Sequence, residues 1–415
     1  MRHGRPCGVE CVPLFYLVLL LQVCVFMLIF VLVIMNKTKT KAYTTMKHIL
    51  LFVLLALLCL VAGAQRRLGG DISLLPSYLS KGTEYRLPDG RKASPYQIFR
   101  QAGWNTMRVR LFVDPSHAPQ GNKDEGVCQD LPYVVRLCRD IKQQGFGLML
   151  DFHYSDTWAD PAKQFMPRAW AKAIGGKSRQ EQLRLLRDSV YAHTCRSLTE
   201  LKRNGVVPDY IQVGNEITFG MLWPLAKTQP DSDRNWDALT ALLRSGTSAC
   251  RLVCPSAKII IHTEHAQDWT ATRQYYDRLR KAGTDYDIIG LSYYPMWHGT
   301  VAHLDGVLDS LKCFGKPVMI VETAFYYSHE NDPWEKDPQH YSDLYPVSPK
   351  GQAMFTDDLV AMLASHPEVT GLFWWFPEEN QSGRPVVKNW INRGLFSNHT
   401  GCALPALQVL KGFVQ

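Results

Sequence analysis

From Leu68 onward the chain alternates between two hydrophobic periods. Short runs of consecutive apolar residues, many of them β-branched, end in polar or aromatic ones, as strands buried on both faces do. This pattern predicts eight strands, over 68–73, 106–112, 147–152, 210–214, 258–262, 288–292, 318–321 and 371–375. Amphipathic stretches between them predict helices over 96–102, 133–144, 180–204, 268–282 and 351–365. Gly103, Gly145, Gly205 and Gly283 follow the first four, and glycine is the expected stop just past a helix. Alternating strands and helices imply a parallel sheet. Eight such units, spread over residues 65–415, predict an α/β fold of the (β/α)8 (TIM) barrel type in a single domain. A doubly wound open sheet would carry a Gly-rich phosphate turn after its first strand, and Gly69-Gly70-Asp71 does not match one.

Two apolar runs precede this pattern. In the second, Met46-Lys47-His48 is a short basic start, residues 49–61 are apolar, and Ala62-Gly63-Ala64 is a small-residue cleavage site. Together they predict a signal peptide over 46–64, with Gln65 as the first mature residue. The expected location is therefore secreted, periplasmic or at the cell surface. The first run, from about Val12 to Met35, falls in an apolar extension over 1–45 and is long enough to span a bilayer. It reads either as a membrane anchor or as an over-extended start ahead of a true Met46, and the complete signal peptide that follows favours the second.

The formal charge of +8 changes little. Arg2, Arg5, Lys37, Lys39, Lys41 and Lys47 face only Glu10 in the first 65 residues, so most of the excess sits there. The remainder has no long basic run, so a nucleic-acid partner is not expected. Of 11 cysteines, the seven from Cys128 onward are an odd number without zinc-site spacing, and they read mostly as core residues. The chain is expected to act as a monomer.

In a barrel of this type the active site forms at the C-terminal ends of the strands. Standing there are Asp71, Arg108, Arg110, Asp151, His153, Asp156, Asn215, Glu216, His262, Glu264, Tyr293, Tyr294, Glu322, Trp374 and Trp375. Glu216 closes the fourth strand and Glu322 the seventh. Those strands face each other across a barrel. Glycoside cleavage needs one carboxyl to protonate the leaving oxygen and a second to attack the anomeric carbon or activate water. A Glu after a strand can also merely cap the next helix, but two of them, with Asn215 beside the first, fit the paired role better. Arg108 and Arg110 share one face of the second strand. An arginine near Glu322 would keep that carboxylate ionised, although an ordinary structural ion pair is an equal reading. His153, Asp156 and Trp158 fall in one loop whose spacing matches no standard metal site, so contacts to sugar hydroxyls are expected, with a simple loop-stabilising role as the alternative. With 11 Trp and 18 Tyr, the chain has rings to stack on sugar faces, or simply to fill a large core.

Several segments together resemble glycoside hydrolase family 53, the endo-β-1,4-galactanases. They are Gly69-Gly70-Asp71-Ile72-Ser73, the stretch DFHYSDTWADP over 151–161, Val213 to Glu216 with Leu222-Trp223-Pro224, the stretch GLSYYPMWHG over 290–299, and Val321-Glu322-Thr323. The resemblance implies Glu216 as acid/base, Glu322 as nucleophile and Asn215 as a partner of the sugar 2-hydroxyl. It implies retention of anomeric configuration and endo-acting hydrolysis of β-1,4-galactan, the type I arabinogalactan of pectin. Asp71, Arg108, Arg110, His153, Asp156, Trp158, Asn215, His262, Tyr293, Trp297 and Trp375 are the expected substrate-binding residues. The alternatives are another β-glycanase of the same clan, a mannanase or xylanase, or a non-catalytic glycan-binding barrel. One departure stands out. Where many members carry Tyr-Trp-Glu-Pro-Ala-Trp, this chain has Trp374-Trp375-Phe376-Pro377-Glu378-Glu379, which bears on outer subsites and product length. No cofactor is expected. Some members bind calcium after the seventh strand, where this chain has His329, Glu330 and Asp332, and their spacing argues only weakly for such a site.

Overall fold

The computed structural model describes residues 65–331 and 343–415 of the chain, so the apolar extension over 1–45, the expected signal peptide over 46–64 and Asp332 lie outside the described residues. Eight parallel strands close on themselves: β1 (Arg67–Asp71), β2 (Thr106–Leu111), β3 (Gly147–Phe152), β4 (Tyr210–Val213), β5 (Lys258–Thr263), β6 (Ile288–Tyr293), β7 (Val318–Thr323) and β8 (Val369–Trp375). β8 pairs with β1 to complete the barrel. All eight sequence-predicted strands are present, with ends moved by up to two residues. The barrel helices are α1 (Pro95–Gln101), α2 (Leu131–Gln143), α3 (Arg179–Arg203), α4 (Asp233–Val253), α5 (Trp269–Lys281), α6 (Val301–Leu311), α7 (Pro349–Ala364) and α8 (Pro405–Val409). The segment Gln65–Gln415 forms one unit.

Helix starts follow local chemistry. The side chains of Ser94, Asp130, Ser178, Asp268, Thr300 and Ser348 each accept a backbone N–H in the first turn of the helix they precede. Three helices, α4, α6 and the short α8, escape the sequence reading. Ser232 makes no cap bond at the start of α4, and the helix ends at Cys254 rather than glycine. Its place is set by burial of Leu239, Leu242, Leu243, Ala249 and Cys250 instead. The seven cysteines are free thiols, with Cys138, Cys250 and Cys254 buried and Cys313 exposed.

Strand alternation sorts the side chains into two layers. Leu148, Ile211, Ile261 and Leu291 face the helices in the large core. Met149, Ile260, Ile288, Met319, Val321 and Phe373 fill the barrel interior. Above that plug, toward the C-terminal ends, the inward positions turn polar: Asp71, Arg108, Asp151, Gln212 and His262 are all fully buried. One irregularity matters. Leu291 pairs with Ile320 but Ser292 pairs with Glu322, so β7 carries an extra residue at this point. Strict alternation after Val321 would turn Glu322 toward the helices; the bulge re-aims it inward.

β1 is drawn tightly against its neighbour. A Cβ at Gly69 would stand 1.6 Å from the Thr106 carbonyl oxygen. That oxygen belongs to the β2 backbone and cannot swing away. Gly69→Ala is therefore expected to destabilise the barrel by about 3 kcal/mol or more. A thermal melt of the variant within a degree or two of the parent would refute this account of β1.

Candidate active site

Arg108 organises the floor of the site. Its Nη1 donates to Asp71 Oδ2 at 3.0 Å, and its Nη2 donates to Asp151 Oδ2 and Asn215 Oδ1, both at 2.8 Å. The same nitrogen lies 2.9 Å from Glu322 Oε1. Burial opposes the charge of this guanidinium, but Asp151, Glu322 and Asp71 outweigh burial and push its pKa further up. Asp151 is in turn held below the ordinary carboxyl value, because Arg108 and His153 overcome its desolvation. Arg110 bonds Asp71 Oδ1 at 2.9 Å. Its guanidinium carbon stands 4.6 Å from the Trp158 ring centroid, 4.9 Å from Trp375 and 4.7 Å from Phe376, close enough for each ring quadrupole to favour the charge.

Glu322 and Glu216 occupy different surroundings. Besides Arg108, Glu322 accepts a hydrogen bond from Tyr294 Oη at 3.0 Å. Burial pushes its pKa up to about 7, with Arg108 opposing. Tyr294 stays a phenol, since burial and the Glu322 and Glu216 charges raise it well above its usual range. Glu216 follows Asn215 at the end of β4 in a left-handed backbone, φ 45° and ψ 48°, a conformation that costs a non-glycine residue energy and clusters at functional sites. It is half-buried at the cleft, and among the described residues no cation is in ion-pair range of it. Enclosure by protein atoms and the nearby Glu322 charge push its pKa well up. Ser292 Oγ donates to its Oε1 at 2.6 Å.

A cleft of about 590 Å³ opens over these groups, within the size range of small-ligand sites. Of the sequence-predicted residues, His153, Trp158, Asn215, Glu216, Glu264, Tyr294, Trp297, Glu322 and Trp375 line it. Asp71, Arg108, Arg110 and His262 do not; they are fully buried below and hold the lining in place. Asp156 accepts backbone N–H groups from Asp114 and Arg168, so it braces its loop rather than facing the cleft. Tyr293 is corrected to Tyr294. Tyr293 points into the helix layer against Phe355 and bonds the Gly299 carbonyl, because alternation along β6 aims Ser292 and Tyr294 inward and Tyr293 outward. Trp374 likewise points outward, its indole N–H bonding the Arg393 carbonyl.

The cleft also holds residues that the sequence did not single out. Trp390 sits 5.9 Å from Trp297 and 6.3 Å from Tyr294, ring to ring. Asn389 beside it bonds Glu125 through its backbone N–H and its side-chain amide. The segment after β8 is thereby tied to the loop after β2. Asp160 and Lys163 border the Glu216 side, and His298 lies 3.3 Å from Glu264. Asp160 and His298 lie within the family-like stretches over 151–161 and 290–299, while Trp390, Asn389 and Lys163 belong to no such stretch. In the loop after β7, Glu330 pairs with His399 at 2.8 Å. Among the described residues no group of three His, Cys, Asp or Glu side chains is gathered to hold a metal ion.

Comparisons with known proteins fit this geometry. The sequence model of glycosyl hydrolase family 53 matches residues 67–410. A probable arabinogalactan endo-beta-1,4-galactanase A of Aspergillus fumigatus is 33% identical over 340 residues, covering 79% of this chain and 88% of its own. An arabinogalactan endo-beta-1,4-galactanase of Thermothelomyces thermophilus is 32% identical, covering 80% and 94%. Among solved structures, the GH53 catalytic domain of Ignisphaera aggregans aligns with a TM-score of 0.73 at 32% identity, over 84% of this chain and 96% of that one. Xylanase B of Clostridium stercorarium, at 15% identity and TM-score 0.53, shares the fold.

The electrostatics yield a direct test. Arg108→Lys keeps a positive charge but loses the planar fork that reaches four acceptors. The variant should lose about 3 kcal/mol of unfolding free energy, and its Glu322 carboxyl should titrate higher than in the parent. Chemical denaturation and carboxyl titration would check both, and parent-like values for both would remove Arg108 from its assigned place.

Proposed function

The chain belongs to glycosyl hydrolase family 53, and from that premise we propose that it cleaves β-1,4-linked galactan, the type I arabinogalactan of pectin, by an endo-acting, retaining double displacement. The family and the names of the relatives support the glycosidase activity and the galactan substrate. The observation that carries the mechanism is the asymmetry of the two carboxyls: Glu322 has a guanidinium at 2.9 Å, and Glu216 has Ser292 at 2.6 Å and, among the described residues, no cation in ion-pair range.

That asymmetry divides the labour. Arg108 and Tyr294 favour an ionised Glu322, which suits a nucleophile. The Glu322 charge and the enclosure of Glu216 favour a protonated Glu216, which suits a general acid. In the first step Glu322 attacks the anomeric carbon, the carbon–oxygen bond to the leaving sugar breaks, and the Glu216 proton moves to the departing oxygen. In the second, Glu216 takes a proton from water, the water oxygen bonds the same carbon, and Glu322 is released. Two inversions give net retention. Asn215, anchored through Oδ1 by Arg108 and through Nδ2 to the Ala159 carbonyl, stands beside the sugar bearing the reacting carbon. Trp375 and Trp158 offer apolar faces to that ring, and Trp297 and Trp390 offer them to a neighbouring one. This chemistry draws on no cofactor, and calcium after β7 would serve structure only. The substrate is a wall polysaccharide, which agrees with export by the signal peptide over 46–64; among the described residues no helix is long and apolar enough to cross a membrane.

Glu322→Ala should abolish turnover of galactan while the barrel stays folded. Added azide should then restore partial activity and yield the α-galactosyl azide, while NMR of the parent reaction shows the β-anomer first. An α-anomer as first product of the parent would sink the retaining mechanism.

The pH profile follows from the same groups. Activity requires Glu322 ionised, so it is gained as pH rises through the Glu322 pKa. It requires Glu216 protonated, so it is lost as pH rises through the Glu216 pKa. Burial pushes both up, Glu322 to about 7. The acid limb of kcat/KM is therefore expected well above the ordinary glutamate value of about 4.3, and a limb at that ordinary value would contradict the assignment of Glu322.

A further inference from the structure

His262 and Ser292 form a chain beneath Glu216 that the double displacement by itself does not require. Gln212 Nε2 lies 3.0 Å from His262 Nδ1, and the backbone N–H of Glu216 donates to the same nitrogen at 3.3 Å. The two hydrogens of the Gln212 amide are shared with Asp151 Oδ1 at 2.6 Å and Asn215 Oδ1 at 3.1 Å, so it is the Glu216 N–H, which can only donate, that demands the Nδ1 lone pair. Asn215 Oδ1 stands 3.2 Å away but is already occupied by Arg108 and Gln212. The ring proton is thus on Nε2, 2.8 Å from Ser292 Oγ. With Nε2–H donating to Oγ, the serine hydroxyl proton is directed to Glu216 Oε1 at 2.6 Å.

Resting on the glycosidase reading above, we propose that Ser292 is a positioning residue for Glu216: its hydroxyl, oriented by neutral His262, occupies Oε1 and leaves Oε2 to carry the proton that reaches the leaving oxygen. His262 grips Glu216 twice, directly at the backbone N–H and through Ser292 at the carboxyl. That grip holds the left-handed backbone and the side chain in one arrangement.

The serine bond acts most on the transition state. As Glu216 gives up its proton, negative charge develops on the carboxyl, and a hydroxyl donor bonds a carboxylate more strongly than a carboxylic acid. No proton leaves Ser292; it only stabilises the conjugate base. Glu322 from β7, Glu264 after β5, Asp160 in the loop after β3 and Tyr294 after β6 also face Glu216. The three carboxylates disfavour its charge, and the Ser292 bond favours it. His262 is held neutral, since burial and Arg108 push its pKa well down.

The test is Ser292→Ala, read with two kinds of substrate. On galactan, whose leaving group needs protonation, kcat/KM should fall about 10- to 100-fold, the range for a lost bond to a charged group. On an aryl galactoside with an activated leaving group it should fall less than about threefold, because that departure needs little acid help. Loss of the donor raises the Glu216 pKa, so the alkaline limb on galactan should move to higher pH. Ser292→Thr, which keeps the hydroxyl, should restore both the galactan rate and the limb. An equal loss on both substrates with an unmoved limb would overturn the proposal. A second measurement needs no variant enzyme: 15N NMR of histidine-labelled parent should show His262 as the neutral Nε2–H tautomer across the activity range. An Nδ1–H tautomer or an imidazolium there would overturn it independently. If the parent fails on galactan but cleaves another β-1,4-glycan, the substrate assignment falls, and the same Ser292→Ala comparison on that glycan still decides the serine.

Discussion

The site depends on one constraint, the charge balance around a guanidinium that water cannot reach. Arg108 and Arg110 are both fully buried, and moving such ions out of water costs several kcal/mol each. Asp71 and Asp151 compensate them, and Glu322 adds a further negative charge at 2.9 Å from Arg108. Two cations then face three carboxylates before Glu216 is counted. Any charge on Glu216 is an excess in a poorly solvated place, so the proton belongs there. The two carboxyls are distinguished by where the guanidinium lies, and it lies on β2 because Arg108 occupies an inward position in a strand whose other face packs on helices.

The sequence makes the barrel legible because buried parallel strands are continuous apolar runs, and each ends where its inward positions turn polar. Helices with a glycine stop are equally plain. The α4 helix is not, because neither of its ends carries a local stop and only burial defines it. The carboxyls and the indoles could be found by asking what stands at strand ends. So could Arg108, Arg110 and His262 beneath them, but not every support. Ser292 and Gln212 are unremarkable residues in a strand until the register brings them to His262 and Glu216. Tyr294 was in view, but choosing between it and Tyr293 requires the phase of β6, and one residue of phase reverses the face. Trp390 lies far along an irregular segment where no periodicity operates, and only the closed fold carries it to Trp297.

The bulge in β7 shows how small a backbone event the chemistry turns on. Val321 fills the barrel interior among Ile260 and Met319. The next side chain should face outward, beside Ile320 and the helices. Placing one extra residue against β6 instead brings Glu322 opposite Ser292, and so sets the two carboxyls on one cleft with Ser292 between their strands. The two catalytic candidates thus share a neighbour: the residue that pairs with Glu322 through the sheet is the one that bonds Glu216 through its side chain.

The unusual segment after β8 can be understood in the same terms. The Phe376 ring stacks on Trp375 at 4.7 Å while covering Arg110. A carboxylate there would add another charge to a cluster already rich in them. An aromatic ring instead encloses the Arg110 guanidinium on a third side and leaves Asp71 as its ion-pair partner. Two residues on, Glu378 is turned away from the cleft, where it accepts the Leu74 backbone N–H and burial pushes it up to about 8. Trp390 adds an indole to the cleft beside Trp297, reached through a segment pinned to the β2 loop by Asn389 and Glu125. The aromatic wall beside Trp297 is therefore built from an irregular stretch of chain rather than from a strand end.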